Sequence, residues 1–276
     1  MANVVNTNIA SINTQRSLAS TQSGLATAMQ RLSSGLRINS AKDDSAGLAI
    51  AKRLEAQVSG LGVAERNASD GISMAQTAEG AMIEVGDMMN RMRDLAVQSA
   101  NGTNTAGDMA NLDAEFQALN DEIARTFNAT EFNGKKILDA DATAFTIQVG
   151  ANNTADNRIT LTTTDMNADA AITAMAAGSI DTQTNAQAAI DLLDTAIDRI
   201  TTERGDLGAV MNRFEHTINN LQNAAENQAA ASSRITDADF AKESAKLSRQ
   251  QVLSQAATAM LSQANAIPQN VLGLLR

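Results

Sequence analysis

The chain has 276 residues and is acidic, with a formal net charge of −10. It contains no Cys, Trp or Tyr, only one Pro and only six Phe. This composition excludes disulfides and zinc–thiolate sites, argues against nucleic acid or an anionic membrane as the main partner, and favours long helices.

The N-terminal segment contains apolar and uncharged polar residues and almost no charge. Residues 1–30 carry a single charge, Arg16, and Leu18, Leu25 and Leu32 repeat every seven residues with Met29 between them. This spacing predicts a helix. A basic region followed by an apolar run is absent at the start, so we expect no cleaved signal peptide, and no apolar stretch is long enough for a membrane span.

Residues 32–50, "LSSGLRINSAKDDSAGLAI", contain many reactive residue types. Neither a phosphate loop nor a Ser–Lys catalytic pair fits, because Lys42 lies between Gly35 and Gly47, whereas GxxxxGK places both glycines before the lysine, and no oxyanion donor is identifiable. We predict a link between two helices, in which Gly35 ends the first and Asp43, Asp44 or Ser45 caps the second. The expected link residues, with capping, chain-turning and intersubunit roles, are Ser34, Gly35, Lys42, Asp43 and Asp44.

Heptad periodicity follows and predicts a helix of about 40–50 residues. Its first apolar line begins at Leu54 and its second at Ala64, and the polar run "SANGTNTAG" at 99–107 ends it. The lines are Leu54, Leu61, Ala68, Ala75, Met82, Met89 and Ala96, and Ala64, Gly71, Ala78, Val85 and Met92.

The middle of the chain changes period. A shorter helix is predicted around Phe116, Ile123 and Phe127, and residues 130–138 then turn the chain. Apolar residues alternate over 145–149 and again over 159–161, with "GANNTADN" between them, which predicts a β-hairpin with a long loop. Residues 165–185 are expected to form a loop or a short helix.

From Ile190 the heptads return for about 45 residues, with only Arg204 interrupting them. Together with the first heptad helix and the shorter helix, this predicts one helical bundle. The single histidine, His216, falls on the outward face and has no second histidine with which to share a metal. Asp237 and Asp239 suit a helix cap before Phe240 better than a metal pair.

The C-terminal residues 250–275 contain no charge at all. Apolar lines on several faces predict a helix that is not satisfied when half-exposed to water. The alternative is an ordinary antiparallel pair of end helices within a monomer, but outward faces would still be apolar. We therefore expect the two ends to pack fully only among many copies of the chain, through Leu18, Leu25, Met29, Leu32, Phe240, Leu247, Val252, Leu253, Met260, Leu261 and Ile267.

The expected fold is mainly α: a long heptad helical bundle with a small β-hairpin region, plus a domain of paired terminal helices. Residues 1–43 and 236–276 would form the terminal-helix domain. Residues 44–235 would form the bundle, with the hairpin at about 140–165.

Six sequence runs resemble bacterial flagellin: "VNTNIASINTQ", "LSSGLRINSAKDDSAGLAIA", "RNASDGISMAQTAEGAM", "RMRDLAVQSANGTN", "FNGKKIL" and "QANAIPQNVLGLLR". The six runs occur in the family's order, and the resemblance extends over residues 1–138 and about 185–276. The resemblance implies a structural, non-enzymatic subunit that is exported unfolded and polymerises into the motility filament. The large outer domains of longer flagellins are expected to be missing.

The resemblance also implies partners and a location. These are other copies of the chain, the flagellar type III export apparatus, an export chaperone, the filament cap and the hook–filament junction proteins, with the assembled protein outside the cell. It makes the link a connection between two filament shells. Flagellins are detected by an animal Toll-like receptor, and Arg91, Leu95 and Glu115 are of the residue types that recognised flagellins carry.

Two other functions were weighed. A hook–filament junction protein shares similar terminal helices but usually has a larger variable middle. An enzyme is a third reading, because some flagellins carry a protease in the central insert. The corresponding region here is short and contains no HExxH motif.

Overall fold

A computed structural model describes residues 7–139 and 144–274, with side chains described up to residue 266. Its helices are α1 (Ile9–Ser34), α2 (Ser45–Ser99), α3 (Ala106–Ala129), α4 (Ala170–Ala176), α5 (Gln183–Thr236) and α6 (Phe240–Leu274). The strands are β1 (Glu131–Phe132), β2 (Lys135–Lys136), β3 (Ala144–Gln148) and β4 (Arg158–Thr162). This agrees with the predicted, mainly α fold.

The chain forms two compact units. The terminal unit comprises residues 1–58 and 227–276, and the bundle unit comprises residues 59–226. The units divide within α2 and α5, whereas the predicted domain boundaries follow the ends of the link at 43 and 236. A continuous helix contains no sequence signal for such a division.

The bundle unit buries the predicted heptad lines. Its largest buried side chains come from α2, α3 and α5, and they include Met82, Met89, Phe116, Phe127 and Phe214, all at 0 % exposure. The heptad interruption at Arg204 is accommodated by an ion pair, since its Nη2 lies 3.9 Å from Glu79 Oε1 on α2. Polar caps define the helix ends: Thr105 and Asp108 form a reciprocal capping box at the start of α3.

The predicted hairpin is confirmed, with β3 and β4 antiparallel and Phe145 opposite Leu161. A second, very short hairpin joins β1 to β2, where the sequence predicted only a turn. Asn133 and Gly134 both have positive φ there, as a two-residue Asn-Gly hairpin turn requires. The Asn-Gly pair was the signal for this hairpin.

Residues 163–182 contain the short helix α4 and are held by polar side chains of α3 and α5. On α3, Asp113 Oδ1 accepts a bond of 2.7 Å from Ile180 N, and Gln117 donates one of 3.1 Å to Gly178 O. On α5, Arg199 donates from Nε to Asp169 Oδ2 at 2.8 Å and pairs with buried Glu203. Burial is the largest single effect and raises the pKa of Asp169, but the bond and charge of Arg199 and the main-chain bonds from Ala171 and Ile172 together outweigh it, so the pKa of this carboxyl is lowered. Two of these bonds involve main-chain atoms of the segment. A main-chain atom is present whatever the residue type, so the sequence pattern gives little indication of how this segment is held.

In the terminal unit, α1 and α6 lie antiparallel. Asn8 donates from Nδ2 to Ala264 O at 2.8 Å at one end, and Arg31 lies near Glu243 at the other. Small residues make the closest contacts, since Ala28 and Ala264 are buried. Helix α1 ends at Ser34, as predicted, and α6 begins at Phe240.

Candidate assembly surface

The α1–α6 pair buries small and polar side chains and leaves large apolar side chains outside. Among the described residues of the two helices, those under 9 % exposure are Ser11, Ala28, Glu243 and Ala264. By contrast, Val252 is 65 % exposed and Met260 61 %. Exposed apolar side chains on two neighbouring helices are the usual mark of a protein contact surface.

The structure sorts the predicted polymerisation residues into three groups. Met29, Phe240, Val252, Leu253 and Met260 are exposed. Leu18, Leu25, Leu32, Leu247 and Leu261 are half-buried. Ile267 lies on α6 beyond the described side chains.

Two further exposed apolar residues, Ile9 and Ile12, extend the surface. The sequence reasoning missed them because they precede the leucine heptad. Their signal was the isoleucine spacing of three within an uncharged stretch.

A groove of about 340 Å³ runs between the two helices. One wall is polar, with Asn13, Thr14, Ser17 and Thr21 from α1. The other wall is largely apolar and comes from α6: Leu253, Ala256, Ala257 and Met260. Such a groove suits an apolar side chain that is flanked by hydrogen-bonding groups, which is the character of the terminal helices themselves.

The link between α1 and α2 is held by main-chain bonds as well as by side-chain bonds. Gly35 adopts the left-handed conformation, with φ of 71°, and caps α1 through its N–H to Arg31 O. Ala238 N then donates to Gly35 O at 2.9 Å, and Arg37 N donates to Thr236 O at 2.6 Å. These bonds join the segment between α1 and α2 to the segment between α5 and α6.

The two aspartates of the link have different roles, since Asp44 caps α2 and Asp43 closes the turn at residues 39–43. Asp44 Oδ1 accepts a bond of 2.8 Å from Gly47 N at the start of α2. Asp43 Oδ2 accepts bonds from the Ser40 hydroxyl, Ser40 N and Asn39 N. The Ser40 hydroxyl bond is the main cause that lowers the pKa of Asp43, with the two main-chain bonds adding to it.

The other predicted link residues are less engaged. The Ser34 hydroxyl accepts a bond from Leu36 N at 3.2 Å, and Lys42 is exposed. At the start of α6, Asp239 accepts bonds from Ala241 N and Lys242 N, which agrees with the predicted cap before Phe240.

The residues expected to meet a receptor lie in the bundle unit. Arg91 on α2 donates from Nη2 to Glu115 Oε1 on α3 at 2.7 Å, and both side chains are about half exposed. Leu95 is 1 % exposed, so it belongs to the core in this conformation. The structure therefore presents Arg91 and Glu115 at the surface as a pair.

The described residues hold no group of three or more His, Asp or Glu placed to bind a metal ion. No helix among them is long and apolar enough to cross a membrane. His216 is exposed, in agreement with its predicted outward position.

Two family models match the chain. The bacterial flagellin N-terminal helical region matches residues 5–143, and the bacterial flagellin C-terminal helical region matches residues 190–275. The stretch between the two matches contains β3, β4 and α4.

Curated relatives cover the whole chain. The flagellin of Halalkalibacterium halodurans is 49 % identical over 273 residues, which are 99 % of this chain and 100 % of the relative. The flagellin of Bacillus subtilis strain 168 is 43 % identical and is covered to 99 %, as is this chain.

Solved structures give the same family and fold. The crystal structure of Bacillus cereus flagellin matches with a TM-score of 0.51 and 36 % identity, covering 60 % of this chain and 94 % of that one. A Vibrio parahaemolyticus protein described as flagellar hook-associated matches with a TM-score of 0.58, covering 71 % of this chain and 100 % of that one. Its 16 % identity shows a shared fold only.

Proposed function

Because the chain belongs to the bacterial flagellin family and is a structural subunit of the flagellar filament, we propose that the α1–α6 surface joins its subunits. The observation that supports this is the exposure of Phe240, Val252 and Met260 beside buried alanines. Burying these side chains against a second copy stabilises the contact by about 25 cal/mol per Å² of apolar area.

The likeness to a hook-associated protein does not favour a junction role. It is a likeness of fold, whereas the full-length identity is to flagellins. In addition, only residues 144–189 separate the two flagellin matches, whereas a junction protein is expected to have a larger variable middle.

The further partners follow from the filament role. We propose that the chain reaches the outside of the cell unfolded, through the flagellar export apparatus with an export chaperone, and assembles between the junction proteins and the filament cap. The charge-poor end segments support this, because the chain itself leaves large apolar side chains of α1 and α6 exposed. An animal Toll-like receptor would meet the exposed Arg91–Glu115 pair, with Leu95 supporting α2 from the core.

Seeded elongation tests the assembly surface. Purified chain is added to filament fragments, and growth is followed by electron microscopy for the natural sequence and for a Val252→Gln/Met260→Gln variant. We expect the natural chain to elongate the seeds and the variant to elongate them at least tenfold more slowly, since each substitution removes apolar area from the contact.

A matched control is Ile83→Gln/Val97→Gln, which changes two exposed apolar residues of α2 in the bundle unit. Equal slowing by both variants would contradict a specific role for the α1–α6 surface. Failure of the natural chain to elongate any seed would contradict the filament role itself.

A further inference from the structure

The apolar sequence of the two terminal helices does not by itself fix how they align. Leu18, Leu25 and Leu32 repeat every seven residues on α1, and Leu253 and Met260 have the same spacing on α6. Sliding one helix past the other by seven residues therefore brings equivalent apolar residues together. The register must come from residues that are not repeated.

One such contact is a buried charge near the start of α6. Glu243 is 6 % exposed and is one of the few buried charged residues among those the structure describes. Arg31 Nη1 of α1 lies 4.0 Å from its Oε1, and Lys246 Nζ, one turn along α6, lies 3.0 Å from its Oε2. A buried carboxylate is stabilised by the cations beside it, and of these two cations Arg31 is the one whose position depends on the register of α1 against α6.

A second contact lies at the far end of the pair. The Ser11 hydroxyl donates to Asn265 Oδ1 at 2.7 Å, and Asn8 donates to Ala264 O at 2.8 Å. Ser11 is 6 % exposed. Between these ends, a Cβ on Gly24 would lie 2.9 Å from Gln250 Nε2, so α1 and α6 approach closely there.

We propose that Arg31–Glu243 and Ser11–Asn265 fix the register of α1 against α6, and thereby select which apolar side chains face a neighbouring subunit. The Arg31–Glu243 and Gly24–Gln250 contacts are one heptad apart, so a slip of seven residues places Glu243 opposite Gly24 and separates its carboxylate from Arg31, with Lys246 of the same helix still beside it. This inference rests on the proposed assembly role of the surface. A single polar residue fixes register in coiled coils in the same way.

Disulfide mapping tests the register, because the chain has no native cysteine. Gly24→Cys/Gln250→Cys reports the observed register, and Ser17→Cys/Gln250→Cys reports the slip of seven residues that places Glu243 opposite Gly24. Oxidation is carried out on unassembled full-length chain and on seeded filaments. With Arg31 and Glu243 intact, we expect the observed-register disulfide to exceed the slipped one by about tenfold or more.

The decisive variant is Arg31→Met/Glu243→Met, which removes both charges together and so leaves no unpaired carboxylate. We expect the slipped disulfide to rise at least fivefold and seed elongation to slow. Arg31→Met alone leaves Glu243 with Lys246 as its partner and should lower the yield of the observed-register disulfide. Lys242→Met is the matched control, since it removes a largely exposed ion pair with Asp239.

The outcomes separate the possibilities. If the double variant keeps the observed register as exclusively as the natural chain, the proposal is overturned and the pair only stabilises. If the natural chain fails to elongate seeds, while the Gly24→Cys/Gln250→Cys chain forms its disulfide and the Ser17→Cys/Gln250→Cys chain does not, the filament role fails and the register assignment holds.

Discussion

The two compact units are both built from long helices with apolar repeats, but they differ in whether their large apolar side chains are buried. The bundle unit turns its large apolar residues inward, where Met89, Phe116 and Phe214 are fully buried. The terminal unit packs two antiparallel helices of 26 and 35 residues through alanine, serine and one buried glutamate, and leaves Phe240, Val252 and Met260 exposed. An apolar repeat therefore shows that a helix has a contact face. The size of the side chains where two helices of the chain meet shows whether that face is buried within the same chain.

The largest expected effect comes from removing residues 250–276, most of α6. We expect seed elongation to be lost, because most of the described exposed apolar side chains of α6 are removed. The bundle unit should keep its own cooperative thermal transition by circular dichroism, since its core contains no residue of α6. Filaments formed by the truncated chain would show that the two units do not divide assembly and folding in this way.

A matched pair of phenylalanines makes the comparison quantitative. Phe116→Ala in the bundle core should lower the free energy of unfolding by about 3–5 kcal/mol in a denaturant titration. Phe240→Ala should change it by only about 0.5 kcal/mol, because its ring is 58 % exposed. Seed elongation should respond more to Phe240→Ala. The opposite ranking in the two assays would argue against the assigned roles.

A glycine of α2 tests how closely the bundle is packed. A Cβ on Gly71 would lie 2.7 Å from Ile147 Cδ1 and 2.9 Å from Phe214 Cζ. Gly71→Ala should therefore destabilise the bundle by about 1–2 kcal/mol, despite the better helix propensity of alanine. Gly80→Ala, in the same helix with open space around it, is the control and should be neutral or stabilising.

The smallest expected effect concerns pH and the link. Hydrogen bonds from the Ser40 hydroxyl, then from the main chain, lower the pKa of Asp43. The stabilisation by its carboxylate is thus complete above the ordinary aspartate pKa of about 3.9 and is lost as the pH falls through the lower, folded-state pKa.

Amide-exchange protection of residues 35–47 should accordingly decrease on acidification below about pH 4. In Asp43→Asn the protection should already be reduced at neutral pH and show less of this acid-dependent loss. Asp206→Asn, an exposed aspartate of α5, serves as the control. Unchanged protection in Asp43→Asn would contradict the role of the Asp43 carboxylate in holding the link.

Much of the fold was predictable because its signals are local. The leucine and methionine heptads predicted α2 and α5, the alternation around Phe145 and Leu161 predicted the β3–β4 hairpin, and Gly35 predicted the end of α1. The register and the segment 163–182 were not predictable, because they depend on residues distant in sequence. Arg199 must meet Asp169, and Ile180 must meet Asp113, before that segment has an order.

The sequence by itself determined that this protein consists mainly of long helices and that its two ends are rich in apolar residues and poor in charge. Periodicity and charge can be determined from the chain alone. It also carried the family resemblance that the comparisons confirmed. Only the tertiary structure decided which apolar residues the chain buries and which it leaves exposed. That choice depends on the side chains that meet where α1 approaches α6, and small residues with a paired Glu243 there leave the large residues facing outward.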